Sequence, residues 1–295
     1  MSDATSPKPS PPSQAGAGKS GGRIAERFRK LAESRELGLV AYITAGDPSL
    51  DATERIVLAA AEAGADAIEL GVPFSDPVAD GPTIQRASER ALRSGTTLAG
   101  VIELVRRLRV QTDVPLVLFS YFNPILQMGI EKFAAAAAAA GADGVLVTDL
   151  PPEEAGEYRA VLHARGLDTI FLAAPTSTDE RLALISECSS GFLYLISRTG
   201  VTGERDALPE DLPVLARRVR RFTKLPLAVG FGISQPAHVS VLGGIADAAV
   251  VGSALVAEIE KAATADDAAA AVANRIRILK RAAREGISRR SPESK

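Results

Sequence analysis

Eight short apolar runs, each followed by a segment with helical spacing, recur along most of this chain. The runs are LVAYITA (39–45), AIELG (67–71), PLVLFS (115–120), GVLVTD (144–149), DTIFLA (168–173), FLYLIS (192–197), PLAVGF (226–231) and AAVVGS (248–253). Near-continuous apolar strands that alternate with helices are typical of a parallel sheet covered on both faces. The alternation therefore predicts an α/β fold built on one parallel sheet.

The number of repeats favours a closed barrel over an open sheet. Eight strand–helix units within 295 residues match a (β/α)8 TIM barrel, whereas an open doubly wound sheet of eight strands is larger than usual. Helical spacing also predicts a helix near residues 23–34, and a long terminal helix with Val272, Ile276, Leu279 and Ala283 on one face. We expect a TIM barrel with an extra N-terminal helix.

Composition divides the chain into one domain and two tails. Residues 1–22 are mostly Pro, Ser, Gly and Ala, with no large apolar residue after Met1, so burial cannot offset the entropy of ordering them. We expect a disordered N-terminal tail over 1–22, a catalytic barrel domain over 23–285 and a flexible C-terminal tail over 286–295. The first tail has neither the apolar segment of a secretory signal nor the arginines of a transit peptide, which predicts a cytoplasmic protein.

Charge and composition argue against several classes of partner. A formal net charge of −2 gives no basic field for nucleic acid or an anionic membrane, and 4% aromatic residues offer few surfaces for base stacking. The longest uncharged apolar run is alanine-rich and too short to span a bilayer. The single cysteine, Cys188, cannot form an internal disulfide, which suits a reducing compartment. We expect a small-molecule substrate.

The side chains near the strand ends favour carboxylate chemistry, because catalytic residues of a barrel follow its strands. No lysine follows a strand, which argues against a Schiff base. His163 and His238 fall in helical segments as surface or capping residues, so no metal site is expected. Glu69 lies at the end of an apolar strand, where a charge is costly, and Asp80 follows in a proline-stiffened loop. This pair is the best candidate for acid–base catalysis.

Each carboxylate also has a purely structural interpretation. Glu69 could anchor a loop through hydrogen bonds, and Asp80 could cap a helix that begins near Pro82. Asp149 ends the fourth predicted strand and is a further candidate, but the segment 151–154 is typical of a helix start. The residues alone leave these alternatives open.

The last two units carry a pattern typical of phosphate binding. GFGIS (230–234) and GSAL (252–255) each place glycine between a strand and a helix, where backbone N–H groups can approach an anion. The loops after the seventh and eighth strands are the usual phosphate site of a TIM barrel. The segment 200–203 could close over the site as a lid or could be a simple flexible loop. The residues thus predict proton transfer on a phosphorylated small molecule.

Five segments resemble the tryptophan synthase alpha chain family, over residues 23 to about 284. They are YITAGDP (42–48), ELGVPFSDPVADGPTIQ (69–85), YLISRTGVTG (194–203), GFGIS (230–234) and GSAL (252–255). The resemblance implies a TIM barrel that cleaves indole-3-glycerol phosphate to indole and glyceraldehyde 3-phosphate, in a reversible retro-aldol step of tryptophan biosynthesis. It also implies a chain with no cofactor of its own.

The resemblance further implies roles for individual residues. Glu69 matches the general acid/base of the family, and Asp80 matches the carboxylate that holds the indole N–H. Substrate contacts are implied for Tyr42, Ile84, Tyr121, Tyr194, Thr202, Gly203, Phe231, Gly232, Gly252 and Ser253. Contacts with a protein partner are implied for Pro73, Asp76 and Asn123, the last of these in an expected loop over 121–124.

The implied partner is a tryptophan synthase beta chain. In the family, an alpha chain docks on a beta chain that holds pyridoxal phosphate, and indole passes directly between the two sites. The resemblance therefore implies a heterotetramer of two alpha and two beta chains. A stand-alone indole-3-glycerol phosphate lyase and a non-catalytic activator of a beta chain are the alternatives.

Overall fold

A parallel sheet of short strands forms the centre of the molecule. The computed structural model describes residues 21–196, 208–230 and 232–288, with side chains up to residue 285. In these ranges the strands are β1 (Gly38–Thr44), β2 (Ala67–Gly71), β3 (Leu116–Ser120), β4 (Gly144–Val147), β5 (Asp168–Ile170), β6 (Leu172–Ala173), β7 (Leu193–Ile196), β8 (Leu227–Gly230) and β9 (Ala248–Val251). The predicted apolar runs coincide with these strands to within one or two residues at each end.

Helices follow the strands and cover the outside of the sheet. They are α1 (Arg23–Ser34), α2 (Leu50–Glu62), α3 (Pro82–Arg93), α4 (Leu98–Arg109), α5 (Phe122–Met128), α6 (Ile130–Ala140), α7 (Gly156–Ala164), α8 (Asp179–Cys188), α9 (Leu212–Arg220), α10 (Pro236–Leu242), α11 (Ser253–Lys261) and α12 (Ala265–Ser288). The extra N-terminal helix is confirmed as α1. The expected loop over 121–124 is wrong, because α5 begins at Phe122.

The strands close into a barrel, as predicted. Their order is β5-β4-β3-β2-β1-β9-β8-β7-β6, and all paired neighbours are parallel. β5 pairs with β4, β6 pairs with β7, and only Phe171 separates β5 from β6 in the chain. The fifth predicted strand is therefore two short strands, since this one segment must serve two neighbours to complete the ring.

Alternation along each strand separates two apolar regions. In β1, Leu39 and Ile43 pack against the surrounding helices, whereas Val40 and Tyr42 point into the barrel. α1 lies across the bottom of the barrel, where the rings of Phe28 and Phe192 have centroids 5.7 Å apart. Catalytic groups of this fold lie at the opposite, C-terminal end of the strands.

A buried ion pair ties the last helix to the start of the barrel. Lys280 of α12 contacts the Asp66 carboxylate, and both side chains are buried. The same carboxylate accepts a hydrogen bond from the Leu39 N–H at 2.7 Å. α12 is thereby held against β1, and its face with Val272 and Ile276 is buried as predicted.

The predicted tails fall mainly outside the described residues, which begin at Gly21 and end at Ser288. The division into one domain and two tails therefore stays a prediction. Among the described residues, no helix is both long and apolar enough to cross a lipid bilayer.

Candidate functional site

Glu69 points into the barrel because of its place in β2. Ile68 and Leu70 pack outward against the helices, whereas Ala67 lies inside, so the alternate position of Glu69 also faces the interior. Its neighbours in the sheet are Tyr42 on β1 and Val117 on β3. The expectation that Glu69 ends its strand is wrong by two residues, since the ladder continues to Gly71.

The Glu69 carboxyl group is buried and unpaired. Its residue has 0% exposure, and neither side-chain oxygen has a hydrogen-bond partner in the described chain. Burial raises the pKa of Glu69 to about 8, because an apolar environment disfavours the charged form. The structural alternative, in which Glu69 anchors a loop through hydrogen bonds, does not hold.

Asp80 is also buried, but it has a partner. The Tyr121 hydroxyl donates a hydrogen bond to Asp80 Oδ2 at 3.0 Å and accepts one from the Ala79 N–H at 3.0 Å. Burial raises the pKa of Asp80 to about 6, and the bond from Tyr121 offsets part of this rise. α3 begins at Pro82 as expected, but Gly81 occupies its N-cap position and no side chain caps the helix. Asp80 is therefore not a capping residue.

The two carboxyl groups line the same pocket, which has an empty volume of about 520 Å³. The pocket is lined by Tyr42, Glu69, Asp80, Ile84, Phe119, Tyr194, Gly232, Ile233, Ser234, Val250, Gly252, Ser253 and Ala254. Eight of the residues that the family resemblance implied for the site are among these, and Tyr121 stands behind Asp80. The geometry thus brings together strand ends that are far apart in the chain.

Five lining residues were given no individual role from the sequence: Phe119, Ile233, Ser234, Val250 and Ala254. Strand alternation offered a signal for two of them, since Val250 lies two positions after the inward-facing Ala248 on β9. Phe119 lies two positions after the inward-facing Val117, so it faces the same side of β3. Ile233 and Ser234 in the loop before α10, and Ala254 in the first turn of α11, carry no such periodic signal, although they fall within the GFGIS and GSAL motifs.

Two tyrosines extend across neighbouring strand ends at the mouth of the barrel. A Cβ atom on Gly71 would lie 2.2 Å from the Tyr42 hydroxyl, and one on Gly230 would lie 2.0 Å from the Tyr194 hydroxyl. Glycine is therefore required at both strand ends if these rings are to keep their places. Burial raises the pKa of both phenols well above the usual value, so each stays protonated at neutral pH.

Backbone N–H groups of two loop-to-helix segments also line the pocket. Gly232 has a φ of +87°, which favours glycine, and Gly252 is the N-cap of α11. In the part of the chain that the structure describes, the N–H groups of Gly232, Ile233, Ser253 and Ala254 donate no hydrogen bond. Free N–H groups at a helix start carry partial positive charge and bind anions. This part of the pocket is suited to a phosphate.

The residues with implied partner contacts lie on a rim formed by the loop after β2 and the start of α5. Asp76 and Asn123 are exposed, whereas Pro73 is buried. The rings of Phe74 and Tyr121 lie with centroids 5.1 Å apart and join the two segments. The rim is thus continuous with the Tyr121–Asp80 contact.

The structure does not describe some of the expected site residues, and it gives Asp149 a contact outside the pocket. Thr202, Gly203 and Phe231, together with the rest of the possible lid at 200–203, are outside the described residues. Asp149 Oδ1 accepts a hydrogen bond from the Phe122 N–H at 2.7 Å, which favours its structural interpretation. Within the described ranges, no three metal-ligating side chains come together.

Comparison with known proteins identifies the family. A family model described as tryptophan synthase alpha chain matches residues 28–284. The chain belongs to the tryptophan synthase alpha chain family. The tryptophan synthase alpha chain of Solibacter usitatus (strain Ellin6076) is 56% identical over 239 residues, covering 81% of this chain and 90% of the relative. That of Dechloromonas aromatica (strain RCB) is 52% identical over 256 residues, covering 85% and 93%.

Solved structures agree with this assignment. A structure of Mycobacterium tuberculosis tryptophan synthase matches with a TM-score of 0.83 at 36% identity, covering 89% of this chain and 98% of that chain. The alpha subunit from Legionella pneumophila str. Paris matches with a TM-score of 0.81 at 38% identity, covering 90% and 99%. The resemblance drawn from five sequence segments is confirmed.

As a member of this family, the protein is a carbon–carbon lyase of tryptophan biosynthesis. The reaction of this family is cleavage of indole-3-glycerol phosphate, and the alpha chain has no cofactor of its own. The pocket has the features that such a substrate requires. It combines buried carboxyl groups, apolar walls for an indole ring and free N–H groups for a phosphate.

Proposed function

We propose that Glu69 and Asp80 carry out the cleavage of indole-3-glycerol phosphate in this pocket. Glu69 is the general acid/base, and Asp80 holds the N–H of the indole ring. One observation supports this assignment above all. Glu69 is buried without a partner in the same pocket as a hydrogen-bonded carboxyl group, and free backbone N–H groups line that pocket too.

The first step is protonation of the indole ring. With a pKa of about 8, Glu69 is mostly protonated at pH 7, whereas Asp80, with a pKa of about 6, is mostly ionised. Glu69 donates its proton to C3 of the indole ring, which places positive charge on the ring nitrogen. The Asp80 carboxylate accepts a hydrogen bond from that nitrogen and stabilises the charge.

The second step breaks the carbon–carbon bond. The Glu69 carboxylate takes the proton from the glycerol hydroxyl on the carbon attached to C3. The bond between that carbon and C3 then breaks, and its electron pair returns to the ring. Indole and an aldehyde result. The proton that Glu69 donated stays on C3 of indole, and the proton from the hydroxyl returns Glu69 to its protonated form. The protonated ring accepts the electrons, so the step needs neither a Schiff base nor a cofactor.

The remaining lining residues bind the two ends of the substrate. Tyr42, Ile84, Phe119 and Tyr194 surround the indole ring, and Tyr42 and Phe119 already pack edge to face with centroids 5.1 Å apart. Gly232, Gly252 and Ser253 bind the phosphate through backbone N–H groups. Roles for Thr202, Gly203 and Phe231 remain part of the proposal, on the strength of the family resemblance.

We also propose that this chain binds a beta chain that holds pyridoxal phosphate. Together the chains form a cytoplasmic heterotetramer of two alpha and two beta chains. The similarity of this chain to structures of Mycobacterium tuberculosis tryptophan synthase supports a partner. Pro73, Asp76 and Asn123 would contact it. The same rim exposes two apolar side chains, Val78 at 81% and Leu126 at 53%, which is surface available for burial.

The acid–base role is tested by the release of indole from indole-3-glycerol phosphate. We expect Glu69→Gln to lower kcat by a factor of about 10² to 10⁴, because proton transfer through the side chain is lost. Glu103→Gln is the matched control, since Glu103 is an exposed glutamate paired with Arg106. Near-normal turnover by folded Glu69→Gln, with unchanged substrate binding, would refute the assignment.

Addition of a beta chain separates the assembled subunit from its alternatives. Faster indole release upon addition supports the assembled synthase. Indole release by the isolated chain at a rate that the beta chain does not change indicates a stand-alone lyase. A chain that releases no indole in either case but stimulates the beta chain is a non-catalytic activator.

A further inference from the structure

His238 is a buried histidine that the proposed reaction does not use. It is the third residue of α10 and is 3% exposed. Its Nδ1 accepts a hydrogen bond from the Ser234 N–H at 3.3 Å. Because an N–H donates to Nδ1, this nitrogen carries no proton, and Nε2 carries the proton of the ring. Nε2 is buried and has no partner among the described residues.

The hydrogen bond between His238 and Ser234 takes the place of a side-chain cap at the start of α10, and it involves the residue before the N-cap position. Gln235, at the N-cap, makes no side-chain bond, and Pro236 has no N–H. In a capping box, the third helical residue bonds to the N–H of the N-cap residue. His238 instead reaches one residue further, to Ser234. The bond therefore fixes the loop between β8 and α10 as well as the helix start.

That loop is a wall of the substrate pocket. Gly232, Ile233 and Ser234 all line the pocket, and Gly232 has a positive φ that gives the chain freedom at this point. The bond to His238 turns the Ser234 N–H toward α10. The N–H groups of Gly232 and Ile233 have no partner in the described chain, and the Ser234 hydroxyl is buried without one.

We propose that His238 is a positioning residue for the phosphate end of the pocket. By holding the Ser234 N–H, it fixes the loop in the conformation that presents the N–H groups of Gly232 and Ile233 to the substrate phosphate. This inference rests on the proposed function, because it requires a phosphate in the pocket. His238 itself touches no reacting atom, so its effect is on binding rather than on the chemical step.

Two amide variants of the full chain test the position of the acceptor. His238→Asn places a carbonyl oxygen close to the site of Nδ1, whereas His238→Gln places it one bond further along the side chain. We expect His238→Gln to raise the KM for indole-3-glycerol phosphate about five- to tenfold, the factor that corresponds to one lost hydrogen bond. The dissociation constant of inorganic phosphate, measured by calorimetry, should rise in parallel. His238→Asn should have a KM close to that of the wild type. In both variants kcat should change less than about twofold, because phosphate binding contributes equally to the ground state and the transition state.

Other outcomes overturn the inference. Equal effects of the two variants, including failure of both to fold, would assign His238 to packing. A lower thermal midpoint for His238→Gln with unchanged KM and phosphate affinity would assign it to helix capping alone. Failure of the proposed function is distinguishable, because the wild type would then neither release indole nor bind inorganic phosphate.

Discussion

Glu69 and Asp80 are both buried carboxyl groups, and their surroundings separate their pKa values. Desolvation raises the pKa of each, to about 8 for Glu69 and about 6 for Asp80. Only Asp80 accepts a hydrogen bond, from Tyr121, which favours its ionised form. One neutral acid and one carboxylate therefore coexist at neutral pH, which is the combination that the proposed retro-aldol step requires.

The pH dependence of kcat/KM should be bell-shaped. Activity falls below about pH 6 as Asp80 gains a proton, and it falls above about pH 8 as Glu69 loses the proton that it must donate. Steady-state assays of indole release across pH 5 to 9, roughly, measure both limbs. A profile that stays flat through this range would contradict the assignment of these two groups.

Tyr121→Phe should move only the acid limb of that profile. The variant removes the hydrogen bond to Asp80 Oδ2 and so raises the pKa of Asp80, by about one unit if the bond contributes about 1.5 kcal/mol. Tyr158→Phe is the control, because the Tyr158 hydroxyl is buried without a partner in the described chain and lies outside the pocket. An unchanged acid limb in Tyr121→Phe would mean that a group other than Asp80 titrates there.

Some residues of this site could be predicted from the local sequence, whereas others depend on contacts between distant segments. A glutamate inside an apolar strand, as in AIELG, is visible because a buried charge requires a reason. The contact between Asp80 and Tyr121 joins residues 41 positions apart, and only the packing of β2 against β3 brings them together. The hydrogen bond from the Ser234 N–H to His238 spans only four residues. A histidine at the third position of a helix was therefore a local signal of such a bond to the preceding loop.

The strands were predictable because strands covered on both faces are continuously apolar, as β3 and β7 are. The residues at which the strands end were harder to predict. The fourth run was expected to reach Asp149, but β4 ends at Val147. Asp149 instead bonds the first N–H of α5, a helix that the sequence interpretation treated as a loop. The division of 168–173 into β5 and β6 depends on two neighbours, and no property of the segment itself encodes it.

The contact between α12 and the barrel predicts a large loss of stability from one substitution. Lys280→Met removes the buried cation that faces the Asp66 carboxylate and leaves only the half-exposed Arg27, whose Nη1 lies 3.8 Å from Asp66 Oδ1, to compensate its charge. We expect the free energy of unfolding, measured by urea titration, to fall by about 3 to 5 kcal/mol. Arg106→Ala, which breaks the exposed pair with Glu103, should cost less than about 1 kcal/mol.

A second variant identifies the cause of that loss. Lys280→Met combined with Asp66→Asn removes both charges and leaves an amide oxygen to accept the Leu39 N–H. This double variant should be more stable than Lys280→Met alone. If the single variant costs no more than Arg106→Ala, the ion pair does not hold α12 in place.

The first residues of the 295-residue sequence form a segment that the barrel should not need. Residues 1–20 have no large apolar side chain after Met1, so we propose that they contribute little burial. A chain that begins at Gly21 should retain its kcat/KM and keep its thermal midpoint within about 2 °C, which for a domain of this size corresponds to at most about 1 kcal/mol. A loss of either would show that the segment contacts the folded domain.

The ring of strands is joined least firmly where β5 and β6 meet. These two strands have three and two residues, and each shares its ladder with one neighbour only. β1, with seven residues, lies diametrically across from that seam, flanked by β2 and β9. Local opening begins where backbone pairing is sparsest. We therefore expect the barrel to open locally between β5 and β6, while Tyr42, Glu69 and Gly252, on the opposite side, keep their mutual spacing.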